Sequence, residues 1–293
     1  MSSRPVTRSA PDRRSWYISP SDITDRSANP IGRGGFGEVF TGTYFGSKVA
    51  IKQLLGTCNS RVLADYNNEI DIWQKLNHPH ILPLLGACDQ DEDGNPIPPF
   101  MVSPFMPNGT LCGHVSDPDD PVSLDEKLRL LYQVASGMAY LHGRRIIHGD
   151  LKALNILLDA SFNAVVTDFG LSRTKHTSAS LNLNKSSGPN GGTDGYMAPE
   201  MLDDDSPSGT TMKTDVYAFA ITIYEVLNDA NPVWTTASGQ AMKPFQILSQ
   251  LLQHKRPKRL GDIPDDIWAL IERCWAHDPA DRPSFPDILA VLQ

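Results

Sequence analysis

The chain has 293 residues and carries 26 Lys plus Arg against 34 Asp plus Glu, a formal net charge of −8. Its 40% apolar content can bury a core, which excludes global disorder, and its length suits one large domain or two lobes. The acidic balance excludes a general nucleic-acid binder, and no apolar run approaches the length of a membrane span.

Residues 1 to about 20 are rich in Ser, Pro and Arg and offer little to bury, so a flexible basic tail is expected. No apolar segment follows Met1, so no secretory signal is expected, and Pro5 and Pro11 oppose the helix of a transit peptide. Between residues 31 and 54, β-rich runs alternate with glycine turns; Val39 to Tyr44 and Lys48 to Lys52 flank Gly46. Residues 60 to 76 read as a helix with Val62, Tyr66, Trp73 and Leu76 on one face. Two short apolar strands and an acidic turn follow His78-Pro79. Residues 124 to 142 give the clearest helix: Leu124, Leu128, Leu131, Ala135, Met138 and Leu141 keep the 3.6 period, behind a Ser123/Glu126 capping box. Short strands alternate with loops to about residue 168, and a polar loop runs to about 198. Helices are then expected over 216–227, 244–253 and 265–276. Cys58, Cys88, Cys112 and Cys274 are scattered without a Cys-x-x-Cys pair, which favours reduced thiols over a zinc site or a disulfide framework.

Four signals carry chemistry. Gly32-Arg33-Gly34-Gly35-Phe36-Gly37 lets a backbone approach phosphate oxygens, and a β-run rather than a helix follows it, so a phosphate-covering hairpin is favoured over a dinucleotide site. In Val49-Ala50-Ile51-Lys52, alternation puts Ala50 and Lys52 on one face, a slot for a flat base beside an ammonium; an isolated Lys there is a solvated strand end. Glu69 lies within the apolar stripe of its helix, either as a boundary residue reaching solvent or as a buried partner of Lys52. His148-Gly149-Asp150-Leu151-Lys152-Ala153-Leu154-Asn155 and Asp168-Phe169-Gly170 place carboxylates and an amide oxygen on turns, a donor set for hard divalent cations and for orienting a hydroxyl.

From about residue 25 to its end, the chain resembles a eukaryotic protein kinase domain. The glycine-rich loop, V-A-I-K, helix Glu, H-x-D-L-K-x-x-N, D-F-G and A-P-E occur in that order, with Asp215 and Arg282 as further matches. Leu84-Leu85-Gly86-Ala87-Cys88, Gly192 to Glu200 and Cys274-Trp275 resemble the tyrosine-kinase-like group of mostly Ser/Thr kinases. The resemblance implies an α+β, bilobal protein kinase fold: a flexible tail over 1–20, a small β-rich N-lobe with one regulatory helix over 21–103, and the hinge with a larger, mainly helical C-lobe over 104–293. It implies ATP and Mg²⁺ as cofactors. Ile31, Gly32, Gly34, Gly35, Gly37, Val39, Ala50, Lys52, Pro104, Met106 and Leu157 would surround the nucleotide, with Ser103 at the gatekeeper position. Lys52 would pair with Glu69, Asp150 would accept the substrate hydroxyl proton, Lys152 would steady the γ-phosphate, and Asn155 and Asp168 would bind the metal. Glu200 would form a structural bridge to Arg282.

The expected activity is transfer of the ATP γ-phosphate to Ser/Thr hydroxyls of protein substrates. Lys152 and Thr193 carry the Ser/Thr reading; a pseudokinase scaffold and a dual-specificity or tyrosine kinase are the alternatives. A cytoplasmic location is expected, with the nucleus as the alternative. The family's usual Arg before the catalytic Asp is Gly149 here, which questions control through an activation-loop phosphate at that contact; activity is expected to survive mutation of Thr177, Ser178 and Ser180 to Ala. Leu154 and Thr110 replace the Glu residues of basophilic members, so no strong preference for Arg upstream of the acceptor is expected. His254 to Arg259 is a short basic run that reads as a solvated loop.

Overall fold

The computed structural model describes residues 14–34, 37–55, 60–169, 193–202, 209–261 and 263–293. The chain divides into two compact units, Met1–Asn77 with Pro83–Phe105, and His78–Leu82 with Met106–Gln293.

The first unit is built on an antiparallel sheet of β1 (Ile23–Thr24), β2 (Gly32–Gly34), β3 (Gly37–Tyr44), β4 (Ser47–Leu54), β5 (Gly86–Gln90) and β6 (Pro96–Pro104). The strand order is β1-β3-β4-β6-β5, with β2 paired to β3. Phe45 and Gly46 alone join β3 to β4, and both have positive φ (45° and 78°), the two-residue turn whose twist matches that of its strands. Alternation then sorts the faces. Val49 and Ile51 of β4 are fully buried and pack with Ile18, Cys88, Phe100 and Val102 as the core of this unit. Ala50 and Lys52 point the other way, as expected.

Helix α1 (Ser60–Trp73) turns Tyr66, Ile70 and Trp73 inward, and the Tyr66 hydroxyl donates to the Phe100 carbonyl at 2.7 Å. The side chain of Val62 lies outside the described residues. Residues 1–13 of the expected tail lie outside the described residues, but for 14–20 the expectation is corrected. Trp16 is only 4% exposed and Ile18 3%. Their segment lies along β5, with the Ile18 amide donating to the Ala87 carbonyl and the Ala87 amide to the Trp16 carbonyl. Two apolar residues spaced by two suffice to dock a short segment on a sheet edge, although the surrounding composition is that of a linker.

The second unit contains α2 (Leu111–Val115), α3 (Leu124–Gly143), the hairpin β7 (Ile156–Leu158) and β8 (Ala164–Val166), α4 (Met212–Leu227), α5 (Pro244–Leu252), α6 (Asp265–Cys274) and α7 (Phe285–Leu292). Residues 78–82 join it because the Leu82 amide donates to the Val166 carbonyl and the Val166 amide to the His80 carbonyl. The 103/104 boundary read from the sequence therefore moves to 105/106 and gains this excursion.

In α3 the buried face is Leu130, Leu131, Val134, Ala135, Met138 and Leu141, whereas Leu124 is exposed. Ser123 caps the helix by accepting from the Glu126 amide, but the Glu126 carboxylate turns to Arg129 instead of closing a reciprocal box. Helix α4 is buried along nearly its whole length. Among the described residues no helix is long and apolar enough to cross a membrane.

Candidate active site

In the first unit the register gathers the residues expected around a nucleotide. Val39 lies opposite Gly32 on one side and Lys52 on the other, and Ala50 lies opposite Ser103. Cross-strand partners share a face, so Val39, Ala50, Lys52 and Ser103 occupy the face away from the Val49/Ile51 core. Ile31 is 57% exposed, and its amide donates to the Val39 carbonyl. Pro104 closes β6 opposite Val49. Gly37 has a structural reason of its own: a Cβ there would meet the Gln53 carbonyl oxygen at 2.3 Å, whereas at Gly34 nothing lies within 4 Å. Gly35 lies outside the described residues. Glu69 is half-buried on α1, one turn beyond Tyr66.

In the second unit, the turn after α3 holds the other group. Asp215, near the start of α4 and buried, accepts from the amides of His148 and Gly149, each at 2.8 Å, and pairs with His142 Nε2 at 2.9 Å. One carboxylate thus satisfies two successive backbone donors and fixes the loop that carries Asp150. Gly149 has φ +75°, a conformation that glycine adopts without the strain a Cβ brings. The fully buried His148 accepts from the Asp150 amide through Nδ1.

Asp150, Lys152 and Asn155 converge. Asn155 Nδ2 donates to the Asp150 carbonyl at 2.7 Å and to its carboxylate at 3.0 Å, and Lys152 Nζ lies 3.4 Å from the same carboxylate. With its NH₂ group held this way, the amide of Asn155 keeps its oxygen as the remaining donor to a cation. The Asn155 carbonyl accepts from the Thr167 amide, which ties this turn to the residue before Asp168. Asp168 has φ +60°, a sparsely populated conformation for a non-glycine residue and one that Asp tolerates better than most. Asn155 and Asp168 are hard oxygen donors and fit Mg²⁺, which binds through one or two carboxylates and keeps water and phosphate oxygens as its other ligands. Among the described residues no three His, Cys, Asp or Glu side chains gather as an all-protein cage. Leu157 lies on β7 and Met106 shortly before α2, both half-buried in the second unit.

Glu225 was not among the residues expected at the site. It lies in the buried stretch of α4, and its Oε2 accepts from the Ala153 amide at 3.2 Å, within the loop that carries Lys152. Desolvation raises its pKa; the Tyr196 hydroxyl, the Ala153 amide, Lys152 and Cys112 act in the opposite sense. The signal was present: a carboxylate in the middle of an apolar helix has to be paired. Further off, Arg282 is buried and grips Glu200 through two bonds of 2.7 and 2.8 Å, the bridge expected from the sequence. The side chain of Thr193 and the loop positions Thr177, Ser178 and Ser180, whose mutation activity is expected to survive, lie outside the described residues.

The family model described as protein tyrosine and serine/threonine kinase matches residues 26–292. The chain belongs to that family, whose members generally use ATP and Mg²⁺ and act on protein substrates. Similar proteins include the probable serine/threonine-protein kinase drkD of Dictyostelium discoideum, 36% identical over 95% of this chain and 20% of the relative. The serine/threonine-protein kinase CTR1 of Arabidopsis thaliana is 35% identical over 90% of this chain and 30% of its own length. The dual specificity protein kinase shkB of Dictyostelium discoideum is 32% identical over 93% and 40%. The chain thus spans a fifth to two fifths of these relatives.

Proposed function

We propose that the chain is a protein serine/threonine kinase that transfers the γ-phosphoryl group of ATP to Ser or Thr hydroxyls. The observation that carries this reading is the convergence of Asp150, Lys152 and Asn155 on one loop clamped by Asp215. Phosphoryl transfer needs little covalent help from the protein, so positioning and charge neutralisation do most of the chemistry. Asp150 accepts the hydroxyl proton as the acceptor oxygen attacks, and the hydrogen bond from Asn155 holds its carboxylate in place. Lys152 neutralises the γ-phosphate. Asn155 and Asp168 hold the metal, which supplies neutralisation of the charge on the phosphate oxygens when bound. In the first unit, Lys52 contacts the α- and β-phosphates and is steadied by Glu69. The backbone at Gly32, Gly34, Gly35 and Gly37 covers the phosphates. Ile31, Val39 and Ala50, with the backbone at Pro104, supply adenine contacts from the first unit.

The Ser/Thr preference is supported by Lys152, two residues after Asp150, and by the printed names of the serine/threonine relatives. The name of shkB supports dual specificity as the second reading. The test is incubation with γ-labelled ATP, Mg²⁺ and a generic protein acceptor, followed by phosphoamino acid analysis, with Asp168→Asn as control. Label on Ser and Thr that disappears in Asp168→Asn is expected. Label on Tyr alone, or equal labelling by the variant, contradicts the reading.

A further inference from the structure

Helix α5 carries an apolar stripe on its outer side. Ile247 and Leu251 face inward and are buried. Phe245, Leu248 and Leu252 are 67%, 37% and 65% exposed and recur at i, i+3 and i+7, the spacing of a single helix face. Exposed large apolar side chains are ordinary when scattered; three in register on nine residues form a patch.

The charge around this patch opposes that of the chain. Residues 230 to 261 contain no Asp or Glu, in a protein that has 34 of them, and include Lys243, Lys255, Arg256, Lys258 and Arg259. Arg256 and Arg259 are used within the fold: Arg256 Nε donates to the Trp275 carbonyl, and an Arg259 nitrogen donates to the Ile263 carbonyl. Lys243, at the helix start, and Lys255 and Lys258, just past its end, are exposed. The apolar stripe is therefore bracketed by positive charge.

We propose that the outer face of α5 docks an acidic segment of a partner protein, its apolar side chains covering Phe245, Leu248 and Leu252 and its flanking Asp or Glu residues meeting Lys243, Lys255 and Lys258. Burial of the apolar anchors supplies affinity, and the lysines supply orientation and on-rate. Charge selects this occupant over three others. A second copy docked through the same face would set the lysines of one copy against those of the other. The chain's own N-terminal segment carries Arg4, Arg8, Arg13 and Arg14 against a single Asp12, so it is repelled. A membrane-surface helix is rich in Lys and Arg along its polar face, whereas the polar residues within α5 are Gln246, Ser249 and Gln250, all uncharged.

The site does not depend on catalysis, so binding tests it. Phage-displayed random 15-residue peptides are panned on the full chain after depletion on Phe245→Ala/Leu252→Ala. Recovered peptides are expected to combine apolar anchors with Asp or Glu, to bind the double variant about tenfold more weakly or worse, and to bind Lys255→Ala/Lys258→Ala several-fold more weakly at low salt, a difference that shrinks as salt rises. All four positions are exposed, so unchanged melting temperatures certify both variants. Recovery of no such peptides, or of peptides that bind parent and both variants alike, overturns the proposal. So does sedimentation of the parent, but not the Phe245→Ala/Leu252→Ala variant, with phosphatidylcholine/phosphatidylserine vesicles, or a dimer in ultracentrifugation that the same variant abolishes.

Discussion

Gly34 and Gly37 belong to one motif but answer to different physics. At Gly37 the chain needs the absence of a Cβ, because the Gln53 carbonyl occupies that space; at Gly34 it does not. Gly37→Ala is therefore expected to lower the melting temperature by disrupting the β3–β4 pairing, with nucleotide binding lost as a consequence. Gly34→Ala is expected to melt with the parent while binding MgATP more weakly in a calorimetric titration; equal melting of the two variants contradicts this division. Glu225 offers a second test at this scale. Burial raises its pKa above the reference 4.5, so ionising it costs folding free energy. That cost is absent below about 4.5 and grows as the pH rises through the folded-state value. Glu225→Gln removes it, so the melting temperature of the variant relative to the parent is expected to move in the variant's favour as the pH is raised from below 4.5 to neutrality. A constant difference across that range contradicts the assignment.

At the scale of elements, the segment at Trp16 departs most from its sequence reading. Its indole Nε1 donates to Asp71 of α1 at 2.9 Å, and its ring meets Tyr66 edge-on with centroids 6.4 Å apart. It therefore braces the helix that carries Glu69 against the sheet. Trp16→Ala is expected to cost about 3 kcal/mol, the scale for truncating a buried aromatic, and to speed hydrogen exchange in α1 ahead of the β3–β4 strands; a melting temperature unchanged by the substitution would show the segment to be loose. Composition hides such a contact because two buried residues barely alter the average of a Ser-, Pro- and Arg-rich stretch. Strong periodicity reads better: β4 alternates as expected, and α3 buries Leu131, Ala135, Met138 and Leu141 from the predicted stripe. Leu124, the first residue of α3, is exposed because the first turn precedes the packed region. Capping depends on side-chain choice, and Glu126 had a competing partner in Arg129 that residue spacing alone does not rank.

At the scale of the whole molecule, the ordered motifs made the family legible before any coordinate, because each combines a residue type with a fixed offset that phosphoryl transfer requires. They did not reveal how the catalytic loop is held. The clamp on His148 and Gly149 comes from Asp215, 67 and 66 residues further along the chain, and the support of Ala153 from Glu225, 72 residues further along. Such long-range hydrogen bonds leave no periodic trace, only the anomaly of carboxylates in a buried helix. Proton acceptance by Asp150 is the step on which the proposed activity rests, and Asp150→Asn isolates it, since the amide is close in shape and the Asn155 and Lys152 side chains remain. Turnover of a Ser/Thr acceptor by this variant, measured beside its MgATP affinity, is the most direct test. The expected result is a loss of about 10²–10⁴-fold in kcat, the scale for a general base, with nucleotide affinity retained; transfer at the parent's rate would contradict the account.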